Sequence, residues 1–293
     1  MPILYLNGKF VEHLDASLDP LDRGVLLGDG LFETIRCEEG QLVYHVAHFS
    51  RLARSARVVE IPWNMPPEQL VEICHQVLDA NNHGRARLRI TLTRGELAGS
   101  PEIGGHQSAP TLIVHAQGID QDALDAARRR GWSARVVSFP LNHRSPLSEV
   151  KSTSYQERVL ARHVARRDGM DEGLMLNTDG LLAEGAMSNL FIVRGGAVYT
   201  PPVCDGALPG IVRLKVGLIC ARLGIGYEEV SLTLENLHAA DEAFMTNAII
   251  EVMPLASEGG RPIGSGNPGP LTERLFAELR RDVDEYLSAR RRG

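Results

Sequence analysis

Arg87-Leu88-Arg89-Ile90-Thr91-Leu92-Thr93-Arg94 alternates strictly: Leu88, Ile90 and Leu92 point one way, and Arg87, Arg89, Thr91 and Thr93 the other. A period of two is that of a β-strand with one buried face, so this segment should line a core on one side and present cations on its open side. Working outward, Thr111 to Gln117 is a second apolar strand, and residues 3 to 11 form a hairpin around Asn7-Gly8. Phe49, Leu52, Ala53, Ala56 and Val59 carry helical spacing, as do Leu70, Ile73, Cys74, Val77 and Leu78 after the Pro66-Pro67 start. Strands plus two helices make the first part of the chain an α+β unit.

The polar stretch Gly118-Ile119-Asp120-Gln121-Asp122 marks a boundary. The expected division is a small N-terminal domain over residues 1–118, an interdomain loop over 119–123 and a larger domain over 124–293. The larger part should open with a helix, Ala123 to Arg130, followed by a strand at Ala134 to Ser138 and a helix from about Ser154. Strands are expected around Gly173 to Asn177 and Leu181 to Glu184, with a hairpin from Leu190 to Tyr199 turning at Gly195-Gly196. A helix from Gly210 to Leu223 closes on Gly224, a strand lies near Phe244, and a last helix runs Pro270 to Leu287 with Leu271, Leu275, Leu279, Val283 and Leu287 on one face.

The 293 residues carry a net charge of −6, which argues against nucleic acid as the main partner because phosphate backbones need a basic surface. The Arg290-Arg291-Arg292 run reads as a solvated terminus. Cys37, Cys74, Cys204 and Cys220 share no metal-type spacing with histidines and read as reduced thiols. No run is apolar for the roughly 18 residues of a membrane span, so a soluble, cytoplasmic protein is expected. Only Lys9, Lys151 and Lys215 of the 31 basic residues are lysines. A chain that solvates itself with arginine keeps a lysine more often for its amine, which arginine cannot replace as a nucleophile.

Lys151 lies in Val150-Lys151-Ser152-Thr153-Ser154-Tyr155, between a loop region and a helix start. An amine there can be both fixed and open to a cleft, and Tyr155 one helical turn on would face the same side. Spacing alone equally allows a surface lysine beside a core tyrosine. Leu208-Pro209-Gly210-Ile211-Val212-Arg213 begins a helix whose first amides could bind phosphate, or could be an ordinary start. Glu184 ends a strand ahead of Gly185-Ala186-Met187-Ser188-Asn189, where a carboxylate could meet a cationic ring nitrogen. Arg51, one turn from His48, is either a phosphate fork or a solvated helix face. Phe244-Met245-Thr246-Asn247-Ala248 runs from an apolar strand into small polar residues.

Taken in order, these segments resemble the fold-type IV pyridoxal-phosphate family of branched-chain and D-amino-acid transaminases, (R)-selective amine transaminases and aminodeoxychorismate lyases. The resemblance covers nearly the whole chain, from Leu21-Asp22-Arg23-Gly24 and Gly28-Asp29-Gly30-Leu31-Phe32-Glu33-Thr34-Ile35-Arg36 to Thr246–Pro254 and Ile263–Thr272. It implies an α+β protein with a small N-terminal α/β sandwich domain and a larger domain built on a strand-rich pseudo-barrel flanked by helices, the active site lying between them. It implies a homodimer, pyridoxal 5′-phosphate as cofactor and Lys151 as the Schiff-base lysine. Glu184 would pair with the pyridine nitrogen, and Tyr155 would support the ring oxygen. Arg51, the amides of Ile211 and Val212, and Asn247 or Ala248 would hold the phosphate. Phe32, Thr34 and Arg89 would face the substrate, with Arg89 on its carboxylate.

Branched-chain enzymes usually place the tyrosine five residues after the lysine, whereas Lys151 and Tyr155 are four apart. Those enzymes also favour glycine where Thr34 stands and an aromatic where Leu27 stands. Thr34 and Asn247 resemble residues of the lyases. The lyases and D-amino-acid enzymes usually carry an arginine in the loop that here reads Gly95-Glu96-Leu97-Ala98-Gly99-Ser100-Pro101. The Ile263–Thr272 segment is more typical of transaminases. The expectation is therefore a D-amino-acid transaminase passing the amine to 2-oxoglutarate or pyruvate, with the aminodeoxychorismate lyase and then the (R)-amine transaminase as alternatives. A pyridoxal-binding regulator would bring a DNA-binding domain, for which the chain leaves no length.

Overall fold

The computed structural model describes residues 1–97 and 109–290. The chain forms two compact units, one of Met1–Ile119 with Val150–Tyr155 and one of Asp120–Glu149 with Gln156–Gly293. A single cut near residue 118 was expected. Instead the six residues around Lys151 belong with the first unit, and the expected loop 119–123 already contains the start of a helix at Gln121. Ala98 to Pro101 of the expected arginine-free loop, and Arg291 and Arg292 of the basic tail, lie outside the described residues.

The first unit runs β1 (Ile3–Leu6), β2 (Lys9–Glu12), α1 (Arg23–Leu27), β3 (Gly30–Glu38), β4 (Gln41–Leu42), α2 (His45–Val58), α3 (Pro67–Asn81), β5 (Arg85–Thr93) and β6 (Thr111–Gly118). Its six strands are ordered β2-β1-β6-β5-β3-β4. Leu88, Ile90 and Leu92 of β5 face a core completed by Leu31 and Ile35 of β3, Phe49 and Leu52 of α2, and Leu70, Cys74 and Val77 of α3. The alternation of β5 is thus realised, except that Thr93 is buried and donates to Asp22 at 2.8 Å rather than facing outward. β3 was not anticipated. Both its faces are covered, so Glu33 and Arg36 are buried in it and no hydrophobic alternation marks it.

The second unit runs α4 (Gln121–Arg130), β7 (Trp132–Val136), α5 (Gln156–Arg167), β8 (Glu172–Leu176), β9 (Leu182–Gly185), β10 (Asn189–Arg194), β11 (Ala197–Thr200), α6 (Ile211–Leu223), β12 (Tyr227–Glu229), α7 (Leu234–His238), β13 (Glu242–Asn247), β14 (Glu251–Glu258), β15 (Arg261–Pro262) and α8 (Pro270–Arg290). Nine strands form a curled sheet ordered β12-β11-β10-β13-β14-β7-β8-β9, with β15 on β14. α8 buries Leu275, Leu279, Val283 and Leu287 as its spacing requires. Glu242 caps its start by accepting from Leu271 N (3.0 Å), Thr272 N (2.8 Å) and Thr272 Oγ1 (2.7 Å). A side chain at Gly269 would collide with that carboxylate, so this part of the family motif is scaffolding. Among the described residues no helix is long and apolar enough to cross a membrane.

Inside the first unit Glu33 sits opposite Ile90 on the core face and is 0% exposed. Arg51 of α2 grips it with two nitrogens, Nε to Oε1 and Nη2 to Oε2, each at 2.7 Å, and His48 Nδ1 meets Oε2 at 2.7 Å. Burial alone would raise the Glu33 carboxyl, but Arg51 and then His48 outweigh it and hold the group far below the ordinary carboxylate range. His48 is pushed down, chiefly by burial, with Glu33 opposing the shift. A depressed carboxylate contributes stability above its unfolded pKa of about 4.3 and loses it as pH falls toward the folded value. Glu33→Gln should therefore cost about 3 kcal/mol at pH 7, because it leaves Arg51 as a buried unpaired charge. The deficit against the native chain should shrink below about pH 4. Denaturant titrations at pH 7 and pH 3 measure it; an equal deficit at both would mean that the Glu33 charge is not what holds α2.

Candidate active site

Lys151 is placed by backbone bonds to β3. Its carbonyl accepts from Phe32 N at 2.9 Å, Thr153 N donates to Gly30 O at 2.8 Å, and Ser152 bridges Leu31. Thr153 Oγ1 adds a bond to Gly28 O at 2.8 Å. Gly28 is left-handed (φ 66°), and a side chain there would press on Ser154, so glycine is needed for the approach. Tyr155 was expected one helical turn from Lys151, but residues 151–155 are not helical and α5 starts at Gln156. Two tight turns, Ser152 N to Val150 O and Tyr155 N to Thr153 O, bring the ring near the amine instead. Lys151 Nζ is 5.7 Å from the Tyr155 ring centre and 4.5 Å from that of Phe32, and the two rings meet edge to face at 5.2 Å.

Arg89 comes to the same aromatic. Its guanidinium carbon lies 3.8 Å from the Phe32 ring centre, and Nε donates to Thr91 at 3.2 Å. Thr34 is its direct cross-strand partner on β3. Phe32, Thr34, Arg89 and Thr91 thus share the sheet face opposite the helices. Burial first, and then the neighbouring Arg87 charge, lower the Arg89 pKa. No carboxylate pairs with Arg89 among the described residues. Arg51, the expected phosphate fork, is not a solvated residue: it is 4% exposed and held by Glu33.

In the second unit Glu184 lies at the end of β9, 2% exposed. Its Oε2 accepts from Asn189 Nδ2 (3.0 Å) and Leu208 N (3.1 Å). Arg158 Nη2 stands 2.5 Å from Oε1 as an ion pair, while Oε1 receives no aligned hydrogen bond. Asn189 also donates to Leu208 O at 2.8 Å, which ties the loop before α6 to the sheet. Gly210 is the N-cap of α6, and a side chain there would run into Asn189 Oδ1. No side chain caps α6, so the turn bearing Ile211 and Val212 begins without an internal acceptor.

Thr246 is the cross-strand partner of Asn189, so its side chain is on the face that Asn189 presents to Gly210. It is fully buried, and its hydroxyl has no hydrogen-bond partner. Asn247 is engaged in its own turn. Its Oδ1 accepts from Ile249 N (2.8 Å) and Ile250 N (2.9 Å), and its Nδ2 donates to Met187 O (2.9 Å). That side chain shapes the turn between β13 and β14 and keeps a second Nδ2 hydrogen beside Ala248 of the expected pair.

A buried acceptor with spare capacity, a buried hydroxyl without a partner and an uncapped helix start that admits only glycine suit a ligand with a protonated ring nitrogen and a phosphate. The residues present therefore fit pyridoxal phosphate. Sequence reasoning missed Arg158 and Thr246. For Arg158 a signal was present: a cation in the first turn of a helix opposes the dipole and calls for an acidic partner.

Comparison with known proteins agrees. The model of the class IV amino-transferase family matches residues 30–257. A putative branched-chain-amino-acid aminotransferase of Methanocaldococcus jannaschii is 35% identical, the match covering 94% of this chain and 96% of the relative. A D-alanine aminotransferase of Bacillus licheniformis is 31% identical over 97% of each. The crystal structure of the Escherichia coli branched-chain amino acid aminotransferase superposes with a TM-score of 0.88 at 30% identity, covering 93% of this chain and 91% of that one. The chain belongs to the class IV amino-transferase family and is a pyridoxal-phosphate-dependent aminotransferase.

Proposed function

We propose that the donor is a D-amino acid with a small or acidic side chain, D-alanine or D-glutamate, and that the acceptor is 2-oxoglutarate or pyruvate. The observation that carries this is Arg89: a half-buried guanidinium beside the lysine, disfavoured by burial and by Arg87, and without an acidic partner among the described residues. An anion would relieve both penalties, which supports a carboxylate-bearing substrate over a simple amine. Thr34 and Thr91 around it offer hydroxyls where a branched-chain side chain would need apolar surface to bury. The four-residue step from Lys151 to Tyr155 also favours the D-amino-acid branch.

Pyridoxal phosphate supplies an aldehyde that an amine can join and a ring that draws electrons from the neighbouring bonds. Lys151 would hold the cofactor, and its Nζ would be the base that takes the proton from the substrate Cα. Phe32 and Tyr155 flank the amine and keep it partly desolvated. Glu184 Oε1 takes the ring N–H, with Asn189 and Leu208 N orienting the carboxylate. The amides of Ile211 and Val212, Arg51, and Asn247 or Ala248 would hold the phosphate. The active enzyme is a homodimer in this reading, supported by the exposed Leu21, Val25, Leu26 and Leu27.

Amino transfer to 2-oxoglutarate or pyruvate is measured with D-alanine, D-glutamate, L-leucine, (R)-1-phenylethylamine and aminodeoxychorismate as single donors. D-alanine or D-glutamate should be fastest. L-leucine as the best donor sinks the D-amino-acid reading, and release of pyruvate and 4-aminobenzoate from aminodeoxychorismate alone would make the protein the lyase. Lys151→Ala should lower turnover at least about a thousandfold, within the range expected for loss of a general acid or base; a variant with native turnover removes Lys151 from the mechanism. Gly210→Ala should weaken cofactor binding about tenfold, roughly 1.4 kcal/mol, by driving Asn189 off Glu184 and Leu208. Equilibrium dialysis against pyridoxal phosphate checks it, and unchanged binding would show that the α6 start is not at the phosphate.

A further inference from the structure

α5 buries only two residues, both alanines, Ala161 and Ala165. It lies so close to β8 that a side chain on Gly173 would meet the Ala161 carbonyl at 2.7 Å. This approach delivers two arginines, one turn apart, to two buried carboxylates. Arg162 acts on Glu172 of β8, opposing the upward push of burial on its carboxyl, and also reaches Met187 Sδ at 2.8 Å. Arg158 stands at Glu184 Oε1. The Glu172 pair is satisfied locally, by Ser188 Oγ and Gly173 N. The Glu184 pair is not, because the oxygen facing Arg158 receives no aligned hydrogen bond while the other oxygen already accepts two.

An arginine at this carboxylate works against the simplest version of the site. Glu184 would favour a protonated ring nitrogen by being an anion with nothing else to neutralise it. Arg158 is cationic at every working pH and touches the same oxygen. It lies at the base of α5 with only 14% of its side chain exposed, so solvent screens it little. We propose that Arg158 is a positioning residue that shares Glu184 Oε1 with the cofactor's ring nitrogen. It keeps the carboxylate in place before the cofactor arrives and limits how strongly the nitrogen's proton is held afterwards. The idea rests on the assignment of Glu184 to the ring nitrogen.

The test compares pyridoxal phosphate with deazapyridoxal phosphate, which has carbon in place of the ring nitrogen, by equilibrium dialysis against the native protein, Arg158→Met, Arg158→Gln, Arg158→Lys and Glu184→Gln. Removing the guanidinium leaves Glu184 uncompensated in the empty protein, a penalty that a ring N–H can relieve and a ring carbon cannot. Arg158→Met and Arg158→Gln should therefore bind pyridoxal phosphate about tenfold more tightly relative to the deaza compound than the native protein does, about 1.4 kcal/mol in preference. Arg158→Lys should restore the native ratio. An unchanged ratio in the neutral variants makes Arg158 a strut of the fold and overturns the proposal. If Glu184→Gln leaves the native preference intact, the assignment of Glu184 fails instead. Should the methionine variant not fold, the glutamine variant, shorter than arginine but still polar, decides the outcome.

Discussion

One buried carboxylate sets the frame of the first unit. Glu33 projects from the middle of β3 into an apolar core, where an ionised group survives only with its charge answered and its oxygens filled. Arg51 and His48 meet both demands from α2, so the helix is locked to the strand in register and rotation. Because side chains alternate along a strand, fixing Glu33 inward fixes Phe32 and Thr34 outward. Phe32 is the ring against which Lys151, Tyr155 and Arg89 are arranged. The backbone of the same strand end holds the lysine's carbonyl. A core ion pair and a reactive amine are thus two sides of one strand.

Two acids of the second unit, Glu184 and Glu242, are held differently. Glu184 is oriented by an amide side chain and a backbone N–H, both neutral donors, and Arg158 approaches its remaining oxygen as a charge rather than as an aligned bond. Glu242 is spent on the first amides of α8. Such contrasts separate carboxylates that finish an architecture from those that keep capacity in hand. Thr246 makes the same point for a hydroxyl: full burial without a partner is costly, and the cost is offset only if something else completes the bond.

Much of this was legible in the residues. Elements with one buried face, such as β5, α2, α3 and α8, declare themselves by period, and Lys151 stood out through the scarcity of lysine. The order of the motifs pointed to the family before any geometry did. β3 stayed hidden because Glu33 and Arg36 break the hydrophobic pattern, and the partner that makes Glu33 tolerable is 18 residues away. The nearness of Tyr155 to the amine was expected for a helical reason and arises from two turns. The part Asn247 plays in its own turn, with its Oδ1 accepting from Ile249 and Ile250, was not visible in the residues. Thr246 next to it carried no mark in composition or spacing.

The division of the chain has a consequence for how such a protein can be assembled from parts. The first unit is completed by Val150–Tyr155, a strip bracketed on both sides by the second unit. Neither unit is a contiguous gene segment. A recombination crossover near residue 119 would exchange the β3 and β5 scaffold of Phe32, Thr34 and Arg89 while leaving the amine with the other parent, so new substrate walls can be tried on a retained nucleophile. The condition is narrow: the incoming β3 must still offer Gly30 and Phe32 backbone groups to a strip it did not evolve with. Such chimaeras are thus limited less by side-chain compatibility than by whether two backbone hydrogen bonds can be remade.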